Sequence, residues 1–160
     1  MNNILEMLNE NNTQEIQQKA VELAKEIDDI SIFFDYSIPS TLWKNCAKVI
    51  SRKTDEELKP YIKNMLEWIE DINRPGAFRI YFRLKDMDVN YLYNDYVEYI
   101  ETTIKKNDES ALEFLSGLIE KEEIKNKLPI NLYNILKKYN DVFWKNNSEI
   151  YRKWMNDNNL

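Results

Sequence analysis

Histidine is absent from this chain, and cysteine occurs once, at Cys46. The first absence removes the commonest general base near neutral pH, and the two together remove the usual zinc ligand sets. A lone thiol forms no internal disulfide. In "LWKNCAKVI" it lies among apolar residues at helical spacing, which reads as a small buried hydrophobe rather than a reactive nucleophile. Glycine is nearly missing as well, with two in 160 residues. The tight turns of a meandering antiparallel sheet need positive φ, which glycine supplies most readily, so helices joined by short loops remain. No 18 apolar residues follow one another, and "MNNILEMLNENNTQ" has neither a basic n-region nor an apolar run. Neither a membrane span nor an export signal is expected, and the cytoplasm is the default compartment. Gly-rich phosphate loops, nucleophile elbows and metal motifs do not occur, so no cofactor and no metal are expected.

Apolar and aromatic residues are plentiful: 43% of the chain is hydrophobic and 12% aromatic, with ten tyrosines and four tryptophans. Disordered chains lack such residues. The length suits one domain, residues 1–160, with a real core.

"NTQE", Asn12 to Glu15, has the form of a capping box, and Ile16, Ala20, Leu23, Ala24 and Ile27 then recur on one helical face. "IDDISIFFDYSIP" is too apolar for a solvated loop and is expected to pack under a neighbouring helix or start a short one. Pro39 or Ser40 opens a helix whose Leu42, Trp43, Cys46, Ala47, Val49 and Ile50 form a broad buried face. Thr54 and Glu57 make a second capping box, and Pro60 separates that short turn from a helix carrying Ile62, Met65, Leu66 and Ile69. In "EWIEDINRPGAF" one helix ends and another begins. Pro75 suits the first helical position, Asn73 or Asp71 the cap, and Gly76, placed in the first turn, allows close approach of the preceding helix near Trp68. Ala77, Ile80, Tyr81 and Leu84 line the inner face of the new helix, with Arg79 and Arg83 outside.

Further helices are expected from about Asp88 to Lys106, from Asp108, and from Pro129. The tail is one bent helix or two short ones, because Asn146, Asn147 and Ser148 interrupt the apolar period. Helix pairs succeed one another roughly every 35 to 45 residues, as in a helical solenoid, with a non-repetitive helical bundle as the alternative.

The stretch "TDEELKPYIKNMLEWIEDINRPGAFRIYFRL", Thr54 to Leu84, with "LWKNCAKVI" before it, resembles a family of uncharacterised small bacterial proteins. A "DEEL" turn, a Pro, an "EWL-x-D-x-N" segment and a "P-G-A" helix start recur there in this order. The resemblance covers about 45 residues. It implies an all-α, HEAT-like fold of antiparallel helix pairs, and some such proteins are suspected immunity or interaction partners in bacterial toxin systems. It implies no catalytic residues. Relatives often carry Trp where this chain has Arg74.

"DMDVNYLYNDYVEYIE" holds five carboxylates, Asp86, Asp88, Asp95, Glu98 and Glu101, with no Lys or Arg and with Tyr91, Tyr93, Tyr96 and Tyr99 interleaved. On a helix, Asp88, Asp95 and Glu98 fall near one side and Tyr93, Tyr96 and Val97 toward another. Tyrosine is a common interface anchor, and an acidic field speeds encounter with a cationic partner. The plainer reading is an amphipathic helix with half-buried tyrosines and solvated acids. The net charge of −6 argues against unassisted nucleic-acid binding. Residues 1–50 are the more acidic part, with eight Asp or Glu against four Lys. Arg74, Arg79, Arg83 and Lys85 form the only basic cluster, expected to pair with acids of neighbouring helices.

Three functions follow as expectations. The first is a protein-binding module, an immunity-type protein that neutralises a cationic toxin, with Asp88, Tyr91, Tyr93, Asp95, Tyr96, Glu98, Trp68, Asp71, Asn73 and Arg74 as its partner-binding residues. The second is a scaffolding helical-repeat protein whose acidity secures solubility. The third, an enzyme, would rest on Glu67, Glu70 and Asp71, the only carboxylate group beside a structural peculiarity. The first is the reading adopted, with a protein partner, no nucleic acid and no membrane.

Overall fold

A computed structural model describes residues 2–157. All regular structure among them is helical. Helix α1 (Asn2–Met7) is followed by α2 (Gln14–Leu23). The cap of α2 is Thr13, whose hydroxyl accepts from the Ile16 N–H, one residue later than the expected box at Asn12. Asn12 is used instead to close α1: its amide donates to the carbonyls of Glu6 and Met7, satisfying acceptors that a helix end leaves open. Residues Ile30–Phe34 wind into a short 3-10 helix that buries Ile30, Phe33 and Phe34, as their apolarity requires.

Helix α3 (Ser40–Ile50) starts at Pro39 and buries Leu42, Cys46, Ala47, Val49 and Ile50, with Trp43 half-buried. It also buries Asn45, whose amide donates to the Leu8 carbonyl and to Gln17 Oε1. In this way one polar side chain ties α1, α2 and α3 together. The Thr54–Glu57 capping box forms at the start of α4 (Asp55–Leu58). A 3-10 turn over Lys59–Tyr61, with Pro60 inside it, leads into α5 (Ile62–Trp68). Lys53, next to the box, is buried. Its ammonium donates to the carbonyls of Lys25 and Ile27 and to Glu57, so the end of the first helical segment is held by a fully bonded cation.

The corner after α5 differs from its expected form. Helix α6 (Ala77–Asp86) begins two residues beyond Pro75, and Gly76 is its cap, in the left-handed region at φ 83°. Asp71 does not cap α6 but accepts from the Asn73 N–H inside the loop. Close packing at Gly76 is real, yet its neighbour is α3 rather than α5. A Cβ on Gly76 would stand 2.4 Å from Ala47 Cβ and 3.4 Å from the Trp43 carbonyl oxygen. The residue is glycine for two reasons, its positive φ and the approach of α3.

Helix α7 (Val89–Lys105), capped by Asp88, is followed by α8 (Glu109–Leu115), capped by Asp108. The segment expected to continue α8 breaks into a 3-10 helix at Ser116–Glu120 and then α9 (Glu122–Lys127). Tyr81 and Tyr96, both fully buried, donate their hydroxyls to the carbonyls of Gly117 and Leu115 and so tie α6 and α7 to that segment. Helix α10 (Ile130–Asp157) is continuous through the Asn146 to Ser148 cluster. There Asn147 is buried with its amide on the Phe143 carbonyl, and the Asn146 amide reaches Glu113, so neither competes for the helix backbone N–H groups. The far end of α10 lies against α6, with Trp154 stacked on Phe82 at 5.0 Å and on Phe78 at 6.0 Å. Among the described residues no helix is long and apolar enough to cross a membrane.

Candidate functional site

The acid and tyrosine residues of α7 meet α4 and α5 along a seam. Asp55 accepts from the Asp88 N–H at 2.9 Å and from the Arg83 guanidinium. One step along, the Tyr91 hydroxyl donates to Glu56 at 2.7 Å, with Lys59 over the Tyr91 ring. Next, Lys63 bonds Glu98 at 2.8 Å and stands 3.9 Å from Asp95. Finally the Tyr99 hydroxyl donates to Glu70 at 2.7 Å. The chain advances seven residues from Glu56 to Lys63 and seven from Tyr91 to Glu98, so the two segments run side by side in the same sense.

Electrostatics along the seam follow from these contacts. The Glu56 carboxylate bonded to its hydroxyl, with burial adding to it, pushes the Tyr91 phenol up; burial and then Glu70 do the same for Tyr99. Both hydroxyls therefore stay protonated donors that fix a carboxylate's position. Burial alone would raise Asp55, but the Asp88 N–H and Arg83 hold its carboxyl below the ordinary range. Hydrogen bonds from Ser31 and Ser37 likewise lower Asp29 and Asp35.

Of the ten residues expected to bind a partner, the structure brings Asp88, Tyr91, Asp95 and Glu98 together on the seam. Tyr93 is half-buried on the other side of α7, its hydroxyl on the Lys127 carbonyl and its ring under the Lys127 ammonium. Tyr96 and Trp68, expected on a binding surface, are core residues at 0% and 1% exposure. Every third or fourth position of α7 must face the core, and Tyr96 falls in register with Leu92 and Ile100. Asp71 and Asn73 belong to the loop, where they bond one another. Sequence reasoning missed Glu56 and Lys63, and it named Glu70 and Tyr99 without placing either among the partner-binding residues. The four-residue step from Lys59 to Lys63, matched by that from Tyr91 to Asp95, is the signal that could have found the pairing.

Trp68 belongs to an aromatic corner. Its ring meets Phe34, Tyr36 and Trp43 edge-on at 6.2, 5.9 and 6.2 Å, and Tyr61 stacks on Phe34 at 5.2 Å. The indole N–H of Trp68 donates to the Pro75 carbonyl, and that of Trp43 to Ile38. Arg74 closes the corner: it lies over the Tyr36 ring at 5.3 Å and donates to the Glu67 carbonyl at the end of α5. The Tyr36 hydroxyl is buried without a hydrogen-bond partner among the described residues, and burial, with Glu67 next, pushes its phenol up to about 12.

The expected basic cluster disperses. Arg83 and Lys85 pair with Asp55 and Glu120, Arg74 roofs Tyr36, and Arg79 lies over the Trp154 ring. Among the described residues no three acidic, cysteine or histidine side chains converge so as to hold a metal ion.

Fold and seam define an all-helical domain with a braced acidic surface. The chain belongs to the DUF5071 family, a domain of unknown function, whose profile matches residues 44–150. That span contains the seam and, of the aromatic corner, Tyr61, Trp68 and Arg74, whereas Phe34, Tyr36 and Trp43 precede it. Neither a curated protein nor a solved structure matches the chain.

Proposed function

We propose that this protein is a protein-binding module whose acidic, tyrosine-braced seam docks on a cationic protein, most specifically as an immunity-type partner that blocks a bacterial toxin. The observation that carries this reading is the bracing itself. Tyr91 and Tyr99 hold Glu56 and Glu70 in place by 2.7 Å hydrogen bonds, while Asp95 and Glu98 share the single cation Lys63. Carboxylates already fixed in position lose less side-chain freedom when a partner arrives, and an excess of acid over base along one face speeds encounter with a positive surface. A HEAT-like arrangement fits this role, because helices two apart in such a stack run in the same sense, as α5 and α7 do, and present a shared face.

The test is capture from the native host. Tagged protein is recovered at low salt, its companions are identified by mass spectrometry, and the wash is repeated at high salt. The expected result is one basic companion in equal amount that high salt removes. Recovery of several proteins indifferent to salt would favour a scaffold instead, and no companion at either salt would count against a binding role.

A further inference from the structure

A second charged surface lies away from the seam, between α2, α3 and α6. Lys44 and Lys48 are one turn apart on α3, Arg52 follows in the turn just past its end, and Arg79 reaches the same place from α6. Two adjoining clefts, of about 390 and 340 Å³, share Gln17, Gln18 and Lys48 as walls. The first extends to Arg52 and Arg79, the second to Lys44, so four cations line one groove. Two acids face them, Glu10 and Glu22. Glu22 is committed to Arg52 and Lys25, whereas neither Lys44 nor Lys48 joins a salt bridge among the described residues. Partial burial, and then the neighbouring Lys44 and Arg79, push the Lys48 ammonium below its ordinary range despite Glu10. In a chain of net charge −6, local mutual repulsion of this kind is a feature that folding alone does not require.

We propose that this groove binds a small, elongated polyanion carrying two or more phosphoryl groups. Spacing sets the size: eight residues from Lys44 to Arg52 at helical rise span about 12 Å, more than one phosphate covers. Lys44 and Lys48, which join no salt bridge among the described residues, supply the point charges, while Arg52, which also holds Glu22, and Arg79, which lies over the Trp154 ring, add positive field at the far end. Gln17 is no ligand, since its amide already bonds the carbonyls of Glu10 and Asn12 and accepts from Asn45. It makes the wall rigid instead. A long nucleic acid is disfavoured, because phosphates beyond these four cations would meet an acidic protein.

The probe is inorganic tripolyphosphate, titrated into the full chain at constant ionic strength, with thermal unfolding and calorimetry as readouts. A saturable rise in Tm that matched sodium chloride does not produce is expected. Lys48→Gln is expected to unfold no earlier than wild type without the probe, since it relieves repulsion, and to bind tripolyphosphate at least tenfold more weakly. Lys44→Gln, at an exposed position, gives a second variant with weakened binding and an intact fold. Equal Tm shifts in wild type and both variants, or no shift beyond chloride, would overturn the site. Orthophosphate binding as tightly as tripolyphosphate would overturn the elongated ligand, and an oligonucleotide binding more tightly than tripolyphosphate at the same salt would overturn the small one.

Discussion

At the scale of single residues, Gly76 and Lys53 hold positions that no other side chain fills. Gly76 combines a φ of 83° with a would-be Cβ only 2.4 Å from Ala47. Gly76→Ala is therefore expected to destabilise by about 2 to 4 kcal/mol, the sum of left-handed strain and overpacking, although alanine is the better helix former. Urea unfolding measures it, and unchanged or increased stability would contradict the close approach of α3. Lys53→Met leaves the Lys25 and Ile27 carbonyls without their donor and is expected to cost about 2 to 3 kcal/mol. The acid limb of stability belongs to this neighbourhood too. The Thr54 N–H, with Lys53, lowers Glu57, and the Asp88 N–H and Arg83 lower Asp55 against its burial. A folded pKa below the unfolded one means that these groups stabilise fully above the unfolded carboxylate value, about 4, and lose that contribution as pH falls through the folded value. Asp55→Asn should lower stability at neutral pH and flatten its decline below about pH 4, as pH-dependent urea titrations would register; parallel acid limbs for variant and wild type would refute the assignment.

At the scale of elements, helices were legible wherever a cap and an apolar period coincided. Thr54 with Glu57, Asp88 and Asp108 mark starts that the structure places at the same residues. What was not legible depended on distant neighbours. Gly76 reads as a first-turn residue until α3 is seen to press on it, and the α8 segment reads as one helix until Tyr81 and Tyr96 claim its carbonyls. The Asn146 to Ser148 cluster looks like a break, yet the Asn147 amide bonds the Phe143 carbonyl and the Asn146 amide reaches Glu113, so neither takes a helix N–H. Trp154, half-buried on Phe78 and Phe82, fastens the end of α10 to α6. Trp154→Ala is expected to cost about 1 to 3 kcal/mol, and hydrogen exchange should quicken in the last turns of α10 before it does in α7. Equal protection of wild type and Trp154→Ala in those turns would show that the stacking does not hold the helix end.

At the scale of the whole molecule, the acidic chain is not uniformly acidic. Its seam gathers Glu56, Glu70, Asp88, Asp95 and Glu98 around few cations, while the groove gathers Lys44, Lys48, Arg52 and Arg79 around Glu10 and Glu22. Half of the seam could be read from the alternation of tyrosine and carboxylate in α7. The other half comes from α4 and α5, some 35 residues earlier, and the groove comes from helices whose lysines look in sequence like an ordinary solvated face. The most direct measurement is the association rate of the captured cationic companion with wild type and with the Asp95→Asn, Glu98→Gln double variant, as a function of salt. The seam predicts a rate that falls steeply with ionic strength and is several-fold slower for the variant at low salt, with the difference vanishing at high salt. Equal rates at low salt would contradict it.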